Sequence, residues 1–305
     1  MIVVVCPGQG SQTPGFLSPW LADSAFAERL AGLSEAAGVD LARHGTESDA
    51  DTIRDTAVAQ PLIVAAGILT LGALLADGRA ERLGGIAGHS VGEITAAAGS
   101  GVLADDDAMR FVAARGRAMA DAAALESTGM SAVIGADESA LLARLAELGL
   151  EPANFNGGGQ VVVAGAVGAL EALRAEPPAG ARVIPLQVAG AFHTRYMASA
   201  VERLAEVAAT LSPADPTLPL WTNRDGRVVT SGAEFLDLLV GQVSSPVRWD
   251  RCMAAFADAG VTGVIEVAPA GALVGLAKRG LKGVPTVAVK TPDDLPAAFE
   301  LIDAA

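Results

Sequence analysis

Hydrophobic and polar positions along this chain fall into short blocks whose period shifts between that of a strand and that of a helix. Compact apolar runs at residues 2–5 and 83–87 are bounded by turn residues and read as strands buried on both faces. Between and after them, helical spacing predicts helices over about residues 18–37, 61–76, 91–100 and 105–123. The last opens on Asp105-Asp106-Asp107, and acidic side chains favour the positive end of a helix dipole. Strands alternating with helices in this way predict a parallel α/β sheet.

From residue 130 the rhythm changes. A strand is expected over 130–135 and a helix over 139–148, with Leu141, Leu142, Leu145 and Leu148 on its apolar face. Strands at 151–156 and 160–164, a helix at 168–175 and a strand at 182–188 follow. The order βαββαβ is that of a ferredoxin-like module. Alternation then resumes, with helices at 196–211, 233–240 and 249–259 and strands at 218–222, 263–267 and 286–289. The expected organisation is one α/β core, residues 1–125 and 193–305, interrupted by a small subdomain at 126–192. A length of 305 residues agrees with roughly two structural units.

Composition narrows the function classes. With 51% hydrophobic and 18% charged residues, a disordered or collagen-like chain is excluded. Only two cysteines, Cys6 and Cys252, argue against a disulfide framework and for a reducing cytoplasm. The 21 basic and 35 acidic residues give −14, a surface that repels nucleic acid and anionic membranes. The first apolar run lacks the basic region of a signal peptide. Residues 56–76 carry no charge and are about long enough to span a bilayer, yet Gln60-Pro61 near the start and Ala76-Asp77-Gly78 at the end point to a buried core helix. A soluble monomer is expected, and no cluster of residues has metal-ligand spacing.

Gly88-His89-Ser90-Val91-Gly92 matches Gly-x-Ser-x-Gly. In a chain with 35 glycines the bare pattern is weak, but a strand before it and a helix after it supply the frame of a nucleophile elbow. The helix start would offer unpaired N–H groups where an oxyanion forms. The same residues would also serve a glycine-rich helix start capped by Ser90. A serine nucleophile needs a base, and three histidines are available. His89 adjoins Ser90 in a sharp turn and should point away from the hydroxyl, and His44 lies in a polar stretch. His193 follows the strand at 182–188 and would sit on a loop at that strand's carboxyl end, where catalytic groups collect. A helix-capping role before Thr194 is its plainer alternative.

At this point the chain resembles the malonyl-CoA:acyl carrier protein transacylases over nearly its whole length. The landmarks come in that family's order: Pro7-Gly8-Gln9-Gly10-Ser11-Gln12, Gln60-Pro61, the elbow followed by Glu93, and Arg115-Gly116-Arg117-Ala118-Met119. Asn154-Phe155-Asn156 with Gln160-Val161-Val162, Gly190-Ala191-Phe192-His193, and Gln242 through Pro246-Val247-Arg248-Trp249 complete them. The resemblance implies an α/β-hydrolase-like core with an inserted ferredoxin-like subdomain. It also implies that Ser90 attacks a thioester, that His193 is its base, and that a backbone carbonyl at Gln242 steadies the histidine. The backbone N–H groups of Gln9 and Val91 would form the oxyanion hole. Arg115 would grip the malonyl carboxylate, Phe192 would crowd an α-methyl group, and Asn156 would orient the acyl group.

The implied activity is malonyl transfer from malonyl-CoA to acyl carrier protein for fatty acid or polyketide synthesis. Coenzyme A and phosphopantetheine serve only as acyl carriers, and no metal or other cofactor is implied. Two alternatives stand beside it: a serine hydrolase or thioesterase with the same Ser-His pair, and a catalytically silent module that docks carrier proteins. Because the substrates are anionic, a local basic patch at the pocket mouth is expected, drawn from Arg117, Arg195, Arg248, Lys278, Arg279, Lys282 and Lys290.

Overall fold

A computed structural model describes residues 1–304. The first apolar run forms β1 (Ile2–Cys6), all five residues buried. The predicted helix at 18–37 starts later, as α1 (Ser24–Ala37), because Asp23 accepts the Ala25 N–H and caps it there. Residues Trp20–Ala22 form a separate 3₁₀ turn. A short α2 (Leu41–Thr46), too brief to show a period, was not anticipated. Next, α3 (Thr56–Leu74) begins five residues before Pro61. Asp55 caps it, so Pro61 falls in the second turn and forfeits one internal bond rather than opening the helix. All but four of the nineteen α3 residues are buried, and the helix packs inside the protein against α1, α4 (Gly92–Gly99) and α5 (Asp105–Ala123). Between α3 and α4 lies β2 (Leu83–Gly88), paired in parallel with β1.

The next elements are β3 (Thr128–Ile134), α6 (Glu138–Leu148), β4 (Glu151–Gly157), β5 (Gln160–Ala166), α7 (Val167–Ala175) and β6 (Arg182–Pro185). They form a four-stranded antiparallel sheet in the order β4-β5-β3-β6, separate from the sheet containing β1 and β2. The strand expected to reach residue 188 stops at Pro185, the last residue paired with β3.

The rest comprises α8 (Ala198–Ala208), β7 (Leu220–Trp221), β8 (Val228–Val229), α9 (Gly232–Gln242), α10 (Trp249–Asp258), β9 (Gly263–Glu266), α11 (Ala272–Gly280), β10 (Thr286–Ala288) and α12 (Leu295–Asp303). The expected start of α8 at residue 196 is instead a 3₁₀ turn, Arg195–Met197, capped by Thr194. β8, α11 and α12 went unforeseen. Three glycines, at 271, 275 and 280, dilute the helical signal of α11, and prolines at 292 and 296 obscure the start of α12. These elements complete a six-stranded sheet in the order β10-β9-β1-β2-β7-β8, parallel except for the β7–β8 hairpin.

Two features tie the cleft together. Val247 donates its N–H to Ala153 O at 2.9 Å and accepts from Phe155 N at 2.8 Å, fastening the β4 edge to the loop before α10. At the end of β9, the buried Glu266 carboxylate accepts the N–H groups of Gly271, Leu273 and Val274, which fixes the start of α11.

Candidate active site

A cavity of about 350 Å³ opens between the two sheets, lined from the core by Gly8, Gln9, Gln60, Ser90, Val91, Met119 and His193. From the small sheet and its exit loop come Met130, Asn154, Asn156, Gln160, Val162, Leu186, Val188 and Phe192, and α11 contributes Leu273, Leu276 and Arg279.

The turn from β2 to α4 fits only because of its glycines. A Cβ on Gly88 would lie 2.0 Å from the Gly92 carbonyl carbon, and one on Gly92 would lie 2.1 Å from Cys6 O. Ser90 sits between them at φ +55°, in the left-handed region that a non-glycine residue rarely occupies. His193 has a φ of +62°. Two unrelated segments thus hold unfavourable backbone where their side chains meet, as expected of a site that the surrounding structure over-determines. Ser90 Oγ and His193 Nε2 are 2.7 Å apart, and His193 Nδ1 lies 2.9 Å from the main-chain oxygen of Gln242. A carbonyl can only accept, so Nδ1 carries the proton and Nε2 is the free base toward Ser90. The loop bearing His193 leaves the carboxyl end of β6, an edge strand of the antiparallel sheet. It is anchored to the core by the His193 N–H on Val243 O.

Burial and the nearby Arg115 charge together pull the His193 pKa down to about 3, which keeps the imidazole neutral. Arg115 is itself 1% exposed, and burial lowers its pKa to about 10, so it stays charged. Its Nη1 donates to Gln60 Oε1 at 2.7 Å and its Nη2 to Gln242 Oε1 at 2.8 Å, with Nη2 also 3.4 Å from Ser90 Oγ. Arg117, two positions on, faces an outside groove with Asp55 and Arg203.

Neither the Gln9 nor the Val91 backbone N–H has an acceptor among the described residues, while Gly92 N and Glu93 N bond His89 O and Ser90 O. Both residues line the cavity beside Ser90. The His89 ring turns away from the serine, as its place in the turn suggested: Nε2 lies 2.9 Å from Asn156 Oδ1, and Asn156 Nδ2 donates to Gln160 Oε1. Phe192 is buried next to His193 and lines the cavity. His44 is remote from the cavity and bonds Ser48 Oγ.

Sequence reading missed three residues that support this centre. Asn223 accepts the Ser90 N–H on Oδ1 at 2.8 Å and donates to Gly88 O at 2.6 Å. Glu93 lies behind Gln242, its pKa raised to about 7 by burial. Gln60 was noted only as half of a Gln-Pro pair and Glu93 only as the residue after the elbow. The scarcity of polar residues in buried helices was the available signal for Gln60 and Glu93; Asn223, in a short turn after β7, gave none. A basic patch was expected at the cavity mouth. Of its seven members only Arg279 lines the cavity, while Arg195 pairs with Glu151 and Arg248 with Asp250.

The chain matches the Acyl transferase domain family across residues 3–293. It is 54% identical over 299 residues to the malonyl CoA-acyl carrier protein transacylase of Mycobacterium bovis, covering 97% of this chain and 98% of that protein. The enzyme of the same name from Escherichia coli K12 is 34% identical over 305 residues, covering 97% and 98%. In structure it is similar to crystalline MCAT from Mycobacterium tuberculosis, with a TM-score of 0.95 and 52% identity over 98% of this chain and 99% of that one. It is also similar to a malonyl-transacylase solved in complex with a type II PKS acyl-carrier protein, with a TM-score of 0.91 and 30% identity over 98% and 99%. By sequence across nearly its full length and by structure, the chain belongs to the acyl transferase domain family, among the malonyl CoA-acyl carrier protein transacylases, and is an acyltransferase.

Proposed function

We propose that this acyltransferase moves malonyl from malonyl-CoA to the phosphopantetheine thiol of acyl carrier protein through an ester on Ser90, supplying extender units for fatty acid synthesis. In the first half-reaction Ser90 Oγ bonds to the thioester carbonyl carbon as its proton passes to His193 Nε2. The C–S bond then breaks, and the histidine returns that proton to the departing thiolate. The carrier thiol reverses these steps. The Gln9 and Val91 N–H groups receive the oxyanion, each worth roughly 3 kcal/mol in the transition state. Arg115 grips the malonyl carboxylate, Phe192 crowds an α-methyl group by about 1–3 kcal/mol, and Asn156, held by His89, orients the acyl chain.

One observation carries this reading: the Ser90–His193 pair at 2.7 Å has the Arg115 guanidinium 3.4 Å from the same oxygen. A hydrolase has no need of a buried cation there, whereas a malonyl ester has a carboxylate to place against it. The reaction draws on side-chain and main-chain groups alone and requires no metal or redox cofactor. The strand order β4-β5-β3-β6 supports a ferredoxin-like subdomain at 126–192 within an α/β-hydrolase-like core at 1–125 and 193–305. Free, buried Cys6 and Cys252 suit a cytoplasmic protein, which we take to act as a monomer away from nucleic acid and membranes.

The test is mass spectrometry after incubation with malonyl-, methylmalonyl- or acetyl-CoA, followed by a chase with carrier thiol or water. We expect a malonyl ester on Ser90 that is discharged by the thiol and persists in water. Hydrolysis as fast as transfer would sink the transferase reading in favour of a thioesterase. No adduct at all would leave a docking module.

A further inference from the structure

Glu93 is 1% exposed in the first turn of α4, and the reaction above does not use it. Both of its oxygens are occupied: Oε1 accepts the Asn223 N–H at 2.6 Å, and Oε2 accepts from Gln242 Nε2. Above its pKa of about 7 the Glu93 carboxylate is ionised and accepts only, so there it dictates which end of the Gln242 amide faces it. With Nε2 turned to Glu93 and to the Ser90 carbonyl at 3.1 Å, the amide oxygen is left to receive Arg115. The hydrogen-bond partners that fix Arg115 are the amide oxygens of Gln60 and Gln242. An amide has no preferred end of its own, and an NH₂ presented to the guanidinium would repel it. The orientation of Gln242 therefore decides whether Arg115 is held or pushed away, and Glu93, together with the Ser90 carbonyl, sets that orientation.

We propose that Glu93 is a positioning residue for acyl selectivity: by fixing the Gln242 amide it holds Arg115 where a malonyl carboxylate meets it. This rests on reading Arg115 as the carboxylate grip. Glu93→Gln isolates the effect, because its amide oxygen still accepts the Asn223 N–H while its NH₂ replaces the oxygen that faced Gln242. Gln242 then meets a donor at residue 93, which favours turning its own oxygen there and its NH₂ to Arg115, against the opposing pull of the Ser90 carbonyl.

The measurement is the rate of Ser90 acylation by malonyl-CoA and by acetyl-CoA, followed by intact mass in the full-length protein, with thermal unfolding recorded alongside. In Glu93→Gln the malonyl-to-acetyl ratio should fall roughly tenfold while acetyl loading stays within about threefold of wild type. Glu93→Asp keeps an acceptor-only group, so its ratio should remain within about threefold of wild type even where its overall rate and stability drop. A purely structural role gives the reverse ranking, with the shortened Asp worse than the isosteric Gln and both substrates falling together. An unchanged ratio in Glu93→Gln, or a collapsed ratio in Glu93→Asp, overturns the proposal, and the Asp variant decides alone if the Gln variant does not fold. Wild-type protein that loads malonyl no better than acetyl would instead overturn the role of Arg115, and the proposal with it.

Discussion

On the core side of the cleft, Ser90, His193, Arg115, Gln242, Glu93 and Asn223 are linked by hydrogen bonds of 2.6–3.4 Å and the Glu93–Gln242 contact. The facing wall, from the antiparallel sheet and its exit loop, is more apolar: Met130, Val162, Leu186, Val188 and Phe192 beside Asn154 and the polar pair Asn156–Gln160. The first wall fixes charges and protons, and the second gives shape. Their attachment differs too, since the core centre is tied through several elements while β4 meets the core loop through the two Val247 hydrogen bonds. Substitutions should therefore have steep, chemistry-specific effects on one side and shallow ones on the other.

The largest effect is expected at Ser90, the proposed nucleophile. Ser90→Ala should lower malonyl loading by on the order of 10⁴-fold or more, with no adduct detectable by intact mass. An adduct that survives would move the nucleophile elsewhere. Arg115→Ala should cost malonyl loading roughly 10²-fold and acetyl loading less than about tenfold, compared as kcat/KM for the two thioesters. Equal losses would reduce the arginine to a structural part of the core wall.

Across the cleft, Asn156→Ala should cost about tenfold or less in malonyl kcat/KM, the scale of leaving His89 Nε2 without its partner. A loss matching that of Arg115→Ala would erase the contrast between the walls. The smallest effect concerns pH. His193 titrates near 6.5 when unfolded and about 3 when folded, so acid protonates the unfolded chain first. Its contribution to stability is whole above pH 6.5 and is lost as pH falls toward 3. Acetyl loading, which makes no use of the carboxylate grip, should hold its rate between about pH 5 and 8. A decline centred near 6.5 would mean that His193 behaves as an exposed imidazole.

Much of the apolar framework is legible in the chain because burial imposes its period directly: β1, β2 and α5 fall within a residue or so of where spacing puts them. Boundaries set by a single polar side chain are harder to see. Asp23 and Asp55 override Ser18 and Pro61 as helix starts, and only the folded backbone reveals which candidate cap has an N–H to accept. The site shows the same division. Ser90 and His193 stand out by motif and by scarcity, whereas Glu93 and Asn223 act through partners 149 and 133 residues away, at separations that local spacing does not encode.

The outermost strand of a sheet ordinarily presents a bare row of N–H and C=O groups on which another chain can pair. In the small sheet, Val247 already occupies part of that row on β4, and the opposite strand, β6, has four residues and ends in Pro185, which has no N–H to offer. Both rims then leave little unpaired backbone on which a second copy could pair. The loop that follows Gln242 thus also shields an otherwise sticky edge, so Val247→Pro, which removes one of its two bonds, should show first as aggregation at high protein concentration.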